Sequence, residues 1–218
     1  MIKTILFDLD GTLLNTIDDL ADAGNWVCTQ HSWPTFSVEQ FKHMVGNGIP
    51  KLVERFSPAE ARTPEHLAAT LAEFTARYDA HKEDKTAPYP GIPELVDALN
   101  AAGIQTAVFS NKADPLCGKI IEHYFGAGKF ALVRGSRPNV PTKPDPTGVY
   151  ALMADLGAKP ENTLFVGDSD VDILTGHNAG LPAMGALWGF RGEAELTAAG
   201  ADALASTPMD IFTYAKKH

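Results

Sequence analysis

Cysteine is scarce in this chain: there are two in 218 residues, Cys28 and Cys117, far apart and with no histidine at ligand spacing. That excludes a disulfide framework and a cysteine-based zinc site, and both thiols are expected to be reduced and structural. The seven histidines form no metal-ligand spacing either. Long apolar runs are missing as well, since nothing approaches the ~18 to 20 residues that span a bilayer. The residues after Met1 lack the basic-then-apolar pattern of a secretion signal, so cytoplasmic residence without a membrane partner is the expectation. Positive charge is in deficit, with 18 Lys and Arg against 27 Asp and Glu and a net charge of −9. Non-specific binding to nucleic acid needs clustered Lys and Arg, so that partner is not expected. A small phosphorylated substrate needs only local positive charge and stays open. What is present, 44% hydrophobic and 21% charged residues, is the make-up of an ordinary globular protein. At this length it can bury roughly 70% of its unfolded surface without staples.

The first motif is "ILFDLDGTLLNT" (5–16), an apolar run that breaks onto two aspartates, Asp8 and Asp10, and a glycine. An Asp-Gly pair after a strand can be a plain turn, and two carboxylates there can equally be a metal or phosphate site. The stretch 16–84 that follows reads as almost entirely helical. Its clearest helix starts at "TPEH", where Thr63 can cap, Pro64 suits the first turn, and Leu67, Leu71, Phe74 and Tyr78 share a face. Ser57 with Glu60 suggests a capping box for a shorter helix before it. From "APYPGIP" (87–93) onward, helices and apolar strands alternate. Expected strands are "IQTAVF", "KFALV", "TLFV" and "PAMGAL", with helices over 94–102, 114–125, 145–156 and 172–179 between and beside them.

Apolar strands joined by single helices imply a doubly wound, mostly parallel α/β sheet with helices on both faces. The helical stretch is then a small domain inserted after the first strand, giving a core of residues 1–15 and 86–218 and an insert of 16–85. In such sheets, sites form at the carboxyl ends of strands, where strand order reverses. The residues there are Asp8 and Asp10, then Ser110 and Asn111, then Lys143 in "NVPTKPDP", then Asp168 in "GDSDVD". Singly, each has a plain structural explanation as a cap, a turn or a solvated lysine. Their joint appearance at successive strand ends is much harder to explain that way.

"DLDGTLLNT", then "SN" after an apolar strand, then a lysine in a proline-bounded loop, then "GDSDVD" resembles the haloacid dehalogenase-like hydrolases. The resemblance covers the whole chain, and the insert matches the cap domain of the phosphoglycolate-phosphatase-like members. It implies a magnesium-dependent phosphatase acting through an aspartyl phosphate. Asp8 is then the nucleophile, and Asp10 the general acid and base that also lends a backbone carbonyl to the metal. Ser110, Asn111 and Lys143 hold phosphate, Asp168 is a metal ligand beside Asp8, and Asp172 supports it. The physics makes these roles intelligible. Two unit charges about 4 Å apart repel by ~4 kcal/mol at an effective dielectric of 20, so a carboxylate attacking a phosphate dianion needs cations nearby.

Substrate choice is expected from the insert. In "GNGIPKLVERF" (46–56), Asn47 can donate to a substrate oxygen, and Gly48 opens a helix whose positive end favours anions. Lys51 or Arg55 can meet a substrate carboxylate. "WGFRGEAEL" (188–196) is expected at the entrance. The favoured substrate is 2-phosphoglycolate. A β-phosphoglucomutase-type phosphotransferase and a non-enzymatic phosphate-responsive module share parts of the pattern, and monomer and homodimer are both compatible with it.

Overall fold

Ile5, Leu6 and Phe7 are completely buried because strand β1 (Thr4–Phe7) runs through the middle of a sheet covered on both faces. The computed structural model describes residues 1–218 as two compact units. One joins Met1–Leu14 to Pro88–His218, and the other is Asn15–Ala87, so the divisions fall at 14/15 and 87/88, against 15/16 and 85/86 expected from sequence.

In chain order the elements are β1, β2 (Leu14–Asn15), α1 (Ile17–Gln30), α2 (Val38–Met44), α3 (Ile49–Phe56), α4 (Pro64–His81) and β3 (Ala87–Pro88). They continue with α5 (Ile92–Ala101), β4 (Gln105–Ala113), α6 (Asp114–Phe125), β5 (Leu132–Ser136), α7 (Thr147–Leu156), β6 (Thr163–Gly167) and α8 (Asp170–Asn178). The chain ends with β7 (Ala183–Ala186), α9 (Glu193–Ala198), β8 (Ala203–Ala205) and α10 (Pro208–Lys217). The main sheet has six strands in the order β5-β4-β1-β6-β7-β8, every pairing parallel. β1 lies between β4 and β6, so the order reverses at its edge and a crevice opens beyond its carboxyl end. Period-two alternation divides the side chains between two cores. Ile5, Phe7, Val108 and Val166 pack with Leu95 of α5, Ile120 of α6 and Ile211 of α10, whereas Leu6, Phe109 and Phe165 pack with Val149 and Leu152 of α7.

Three details depart from the sequence expectations. β4 does not stop at Phe109 but continues to Ala113, with a register shift against β5, so Ser110 and Asn111 lie within the strand rather than after it. Ser57 and Glu60 form no capping box: Pro58 precedes a single 3₁₀ turn, Ala59–Ala61, and the Ser57 hydroxyl bonds back to the Val53 carbonyl at 2.7 Å. Helices α7 and α8 start at Thr147 and Asp170 instead of 145 and 172, β5 covers Leu132–Ser136 rather than 129–133, and α9, β8 and α10 lie beyond the elements expected.

The second unit is helical. Thr63 caps α4 by accepting from the His66 N–H, with Pro64 in the first turn. Phe41, Phe56, Phe74 and Tyr78 form a continuous aromatic core with successive ring centroids 6.4, 5.9 and 5.8 Å apart. Gly24 admits the Phe41 ring, because a Cβ there would lie 2.5 Å from its Cζ. The buried Asp19 carboxylate fixes the return of the chain by accepting from the Lys85 and Thr86 N–H groups and from the Thr86 hydroxyl.

Candidate active site

The end of β1 places Asp8 beside β6, with its N–H on the Val166 carbonyl at 2.9 Å. Lys143, brought in by the loop after β5, is 3% exposed, and its Nζ lies 2.8 Å from Asp8 Oδ1 and 2.6 Å from Asp172 Oδ1. Asp172 stands in the first turn of α8. Its other oxygen accepts from the Asp168 and Ser169 N–H groups and from the Ser169 hydroxyl, closing a capping box. Asp172 is therefore a saturated acceptor that aims Lys143 at Asp8.

Asp168 follows β6 and is 2% exposed. It accepts from the Thr12 hydroxyl at 3.1 Å and the Phe190 N–H at 2.7 Å. Two glycines make room for it. Gly11 has φ +88°, and a Cβ there would lie 2.3 Å from Asp168 Oδ2; a Cβ on Gly189 would lie 2.1 Å from the Asp168 Cβ. "WGF" is thus the backing of Asp168, and Trp188 ties it to the first motif by donating from Nε1 to the Thr12 carbonyl at 3.0 Å. Asp170, between Asp168 and Asp172, accepts from the Val171 N–H.

One ligand atom from each of Asp8, Asp168 and Asp172 falls within a mutual distance of 4.8 Å. Three carboxylates against one ammonium leave this buried cluster with an excess of negative charge, which is costly unless a cation joins it. The acidities record the strain. Burial pushes Asp8 up to about 7, with the Lys143 ammonium opposing and the Asp172 carboxylate reinforcing the rise. Burial and the same neighbouring carboxylates hold Asp168 well above the usual carboxylate range. Burial alone would lower Lys143, but Asp172 and Asp8 outweigh it and hold it above an ordinary lysine. A divalent cation fits the donor set: hard oxygen ligands from three carboxylates within reach of one another, and an Asp168 already oriented by Thr12 and Phe190.

Ser110 and Lys112, two apart on β4, are both buried at 4% and 5% exposure, while Asn111 between them is only partly covered. The Ser110 Oγ accepts from the Lys112 N–H at 3.3 Å. Asn111, read from sequence as a phosphate holder, spends its carboxamide on the backbone of Lys143: Oδ1 accepts from the N–H at 2.8 Å and Nδ2 donates to the carbonyl at 3.3 Å. It sets where Lys143 enters the site. Lys112 escaped the sequence reading altogether. Its Nζ lies 3.1 and 3.2 Å from the two oxygens of Asp10. Its burial on the Ser110 face could have been inferred only by letting β4 run two residues further. Thr12, Gly189 and Phe190 lie in stretches singled out from sequence, with 188–196 expected at the entrance, but their contact with Asp168 was not foreseen because it spans at least 21 residues of chain.

In the helical unit, Gly48 (φ +84°) precedes α3 as expected, with Pro50 in the first turn. Arg55 is not free for a carboxylate: it donates to the Met44 carbonyl at 2.6 Å and to Asn47 Oδ1 at 2.7 Å, and Lys51 pairs with Glu54 at 2.8 Å. Arg55 thus closes the 44–48 loop and leaves the Asn47 NH₂ as its donor.

Comparison with known proteins accords with this geometry. The family model for haloacid dehalogenase-like hydrolases matches residues 2–180. A phosphoglycolate phosphatase of Aquifex aeolicus is 32% identical over 99% of this chain and 98% of its own, and one from Caulobacter vibrioides is 33% identical over 95% and 88%. A crystal structure of a proposed phosphoglycolate phosphatase from Lactobacillus delbrueckii subsp. bulgaricus superposes with a TM-score of 0.92 at 29% identity, covering 98% of both chains. CbbY from Rhodobacter sphaeroides, solved with phosphate, gives 0.79 at 25% identity over 97% and 96%. With the motifs after β1, within β4, in the loop beyond β5 and after β6, and the family model spanning residues 2–180, the protein belongs to the haloacid dehalogenase-like hydrolases, as a phosphoric monoester hydrolase similar to the phosphoglycolate phosphatases.

Proposed function

We propose that the protein hydrolyses a small phosphomonoester, with 2-phosphoglycolate the favoured substrate, through an aspartyl phosphate on Asp8 and with Mg²⁺ as cofactor. The observation that carries this reading is the buried triad of Asp8, Asp168 and Asp172 around Lys143, at the carboxyl end of the central strand. Asp8 and Asp168 are the side chains that would hold Mg²⁺, with the Asp10 carbonyl that the family resemblance adds. When bound, the ion supplies positive charge that offsets the repulsion between carboxylate and phosphate.

The remaining steps belong to the chain's own residues. Asp8, aimed by Lys143, attacks phosphorus; Lys143 and the Ser110 hydroxyl neutralise charge on the transferring group. Asp10 gives a proton to the departing ester oxygen and takes one from the water that later cleaves the aspartyl phosphate, work worth typically ~10² to 10⁴ in rate. The helical unit, 15–87, acts as the cap that selects the rest of the substrate, with Asn47 and the N–H groups after Gly48 as its donors to a carboxylate or hydroxyl. No helix is long and apolar enough to cross a membrane, and residence in the cytoplasm fits the reading.

The test is a phosphomonoester panel assayed with Mg²⁺ and with chelator, ranked by kcat/KM because that ratio reports which leaving group is recognised. Magnesium-dependent release with 2-phosphoglycolate at the head is expected. Absence of release from every ester would refute the phosphatase reading, and a phosphoenzyme that persists until it meets a second sugar phosphate would make the protein a phosphotransferase.

A further inference from the structure

We propose that Lys112 is a positioning residue for Asp10, holding its carboxylate in the orientation from which it exchanges protons. The inference rests on the reading of Asp10 as acid and base, and three observations carry it. The Lys112 ammonium lies nearly equidistant from the two Asp10 oxygens, at 3.1 and 3.2 Å, so it fixes the plane of the carboxylate as well as its place. The Lys112 side chain is 2% exposed while that of Asp10 is 16% exposed, so the cation is the fixed member and the carboxylate is the member that faces the crevice. The backbone of Lys112 is anchored independently, through its N–H to Ser110 and its carbonyl, which accepts from the Cys117 thiol at 3.4 Å. The strand that carries the phosphate-binding hydroxyl therefore also carries the tether of the proton-transfer group. The two buried lysines divide the labour, Lys143 aiming Asp8 and Lys112 aiming Asp10.

Asp10 acts in both half-reactions. In the first, the Asp8 oxygen–phosphorus bond forms, the ester bond breaks, and the Asp10 proton goes to the departing oxygen. In the second, the water oxygen–phosphorus bond forms, the Asp8–phosphorus bond breaks, and a proton of that water returns to Asp10. Both transfers need the carboxyl within hydrogen-bond reach of a moving oxygen. Misplacement by about 1 Å costs on the order of 10²-fold in rate. Loss of the tether should therefore lower kcat while leaving phosphate binding, which belongs to Lys143 and Ser110, in place.

The experiment compares wild type, Lys112→Met, Lys112→Arg and Asp10→Asn on an alkyl phosphomonoester and on p-nitrophenyl phosphate. The nitrophenolate leaves without a proton, so formation of the phosphoenzyme no longer needs Asp10. For Lys112→Met, kcat on the alkyl ester is expected to fall about 10- to 100-fold with KM within about 2-fold. On the aryl ester it should show a burst of nitrophenolate approaching one equivalent, because the step using water remains slow. Lys112→Arg, which keeps the charge, should recover part of kcat. In an Asp10→Asn background Lys112→Met should cost little more, since the two act as one unit. Equal losses on both esters without a burst, or additive losses in the double variant, would overturn the proposal. If Lys112→Met fails to fold, the burst and partial kcat loss of Lys112→Arg decide the matter. Wild-type inactivity on every phosphomonoester would refute the phosphatase reading, whereas an active wild type matched by Lys112→Met would refute only the role of Lys112.

Discussion

Replacing Lys143 by methionine removes the single ammonium that faces both Asp8 and Asp172, at 2.8 and 2.6 Å. Methionine fills nearly the same volume, so the loss is of charge rather than packing. Lys143 is 2% exposed in its side chain, and its partners are 12% and 1% exposed, so water can do little to replace it. Breaking a buried pair by deleting one partner costs ~3 to 5 kcal/mol, because the carboxylates are left uncompensated. For a domain of this size each kcal/mol moves Tm by ~2 to 4 °C, so a fall of ~6 to 20 °C is expected near pH 8 in chelator. Two modulations identify the cause. At pH 5, where Asp8, pushed up to about 7 by burial, is largely protonated, the deficit should shrink. With millimolar Mg²⁺ it should shrink as well, because the cation takes over part of the neutralisation. Scanning calorimetry of both proteins under these conditions is the assay, with phosphate release measured in parallel and expected to be lost. A fall in Tm of the same size at every pH and metal concentration would refute the electrostatic argument and leave a packing defect in its place.

Asp8→Asn should abolish turnover and any acid-labile phosphoenzyme, whereas Asp10→Asn should slow both half-reactions; labelling with a radioactive substrate and acid quench separates the two outcomes. In chelator, wild-type stability should decline as pH rises from about 4 to 7. Asp8 binds its proton more tightly folded than unfolded, so the native state holds more protons across that window, and stability is greatest at its low end and is lost as Asp8 ionises. Denaturant unfolding at several pH values checks this, and a flat or rising profile would contradict it. Gly189→Ala sets a Cβ 2.6 Å from the Gly11 carbonyl as well as 2.1 Å from the Asp168 Cβ, so Asp168 must move. A rise of about 10-fold or more in the Mg²⁺ concentration for half-activity is expected, together with a loss of ~1 to 3 kcal/mol in stability.

Most of the frame could be read from residue order alone. Apolar strands such as "TLFV" separated by single amphipathic helices leave few alternatives to a doubly wound sheet, because strands buried on both faces cannot alternate and helices between them force parallel pairing. Thr63 with Pro64 announced α4 for equally local reasons. The site was legible where chemistry coincides with a strand end, as at Asp8 and Asp168. It was not legible where a side chain's job is set by what faces it. Arg55 is a cation in sequence and a loop clasp in the folded unit. Asn111 is a polar residue beside Ser110 in sequence, and in the fold it grips the backbone of a lysine 32 positions away.

The sequence by itself determined the sheet, the inserted helical stretch and the identity of the acids, since periodicity, turn residues and motif spacing are properties of neighbouring positions. Only the tertiary structure decided the pairing of charges: Lys143 with Asp8 and Asp172, Lys112 with Asp10, and Asp168 against Gly11 and Gly189. Those contacts join residues as many as 157 positions apart (Gly11 and Asp168), and an ion pair's strength depends on burial and distance, which no stretch of sequence states.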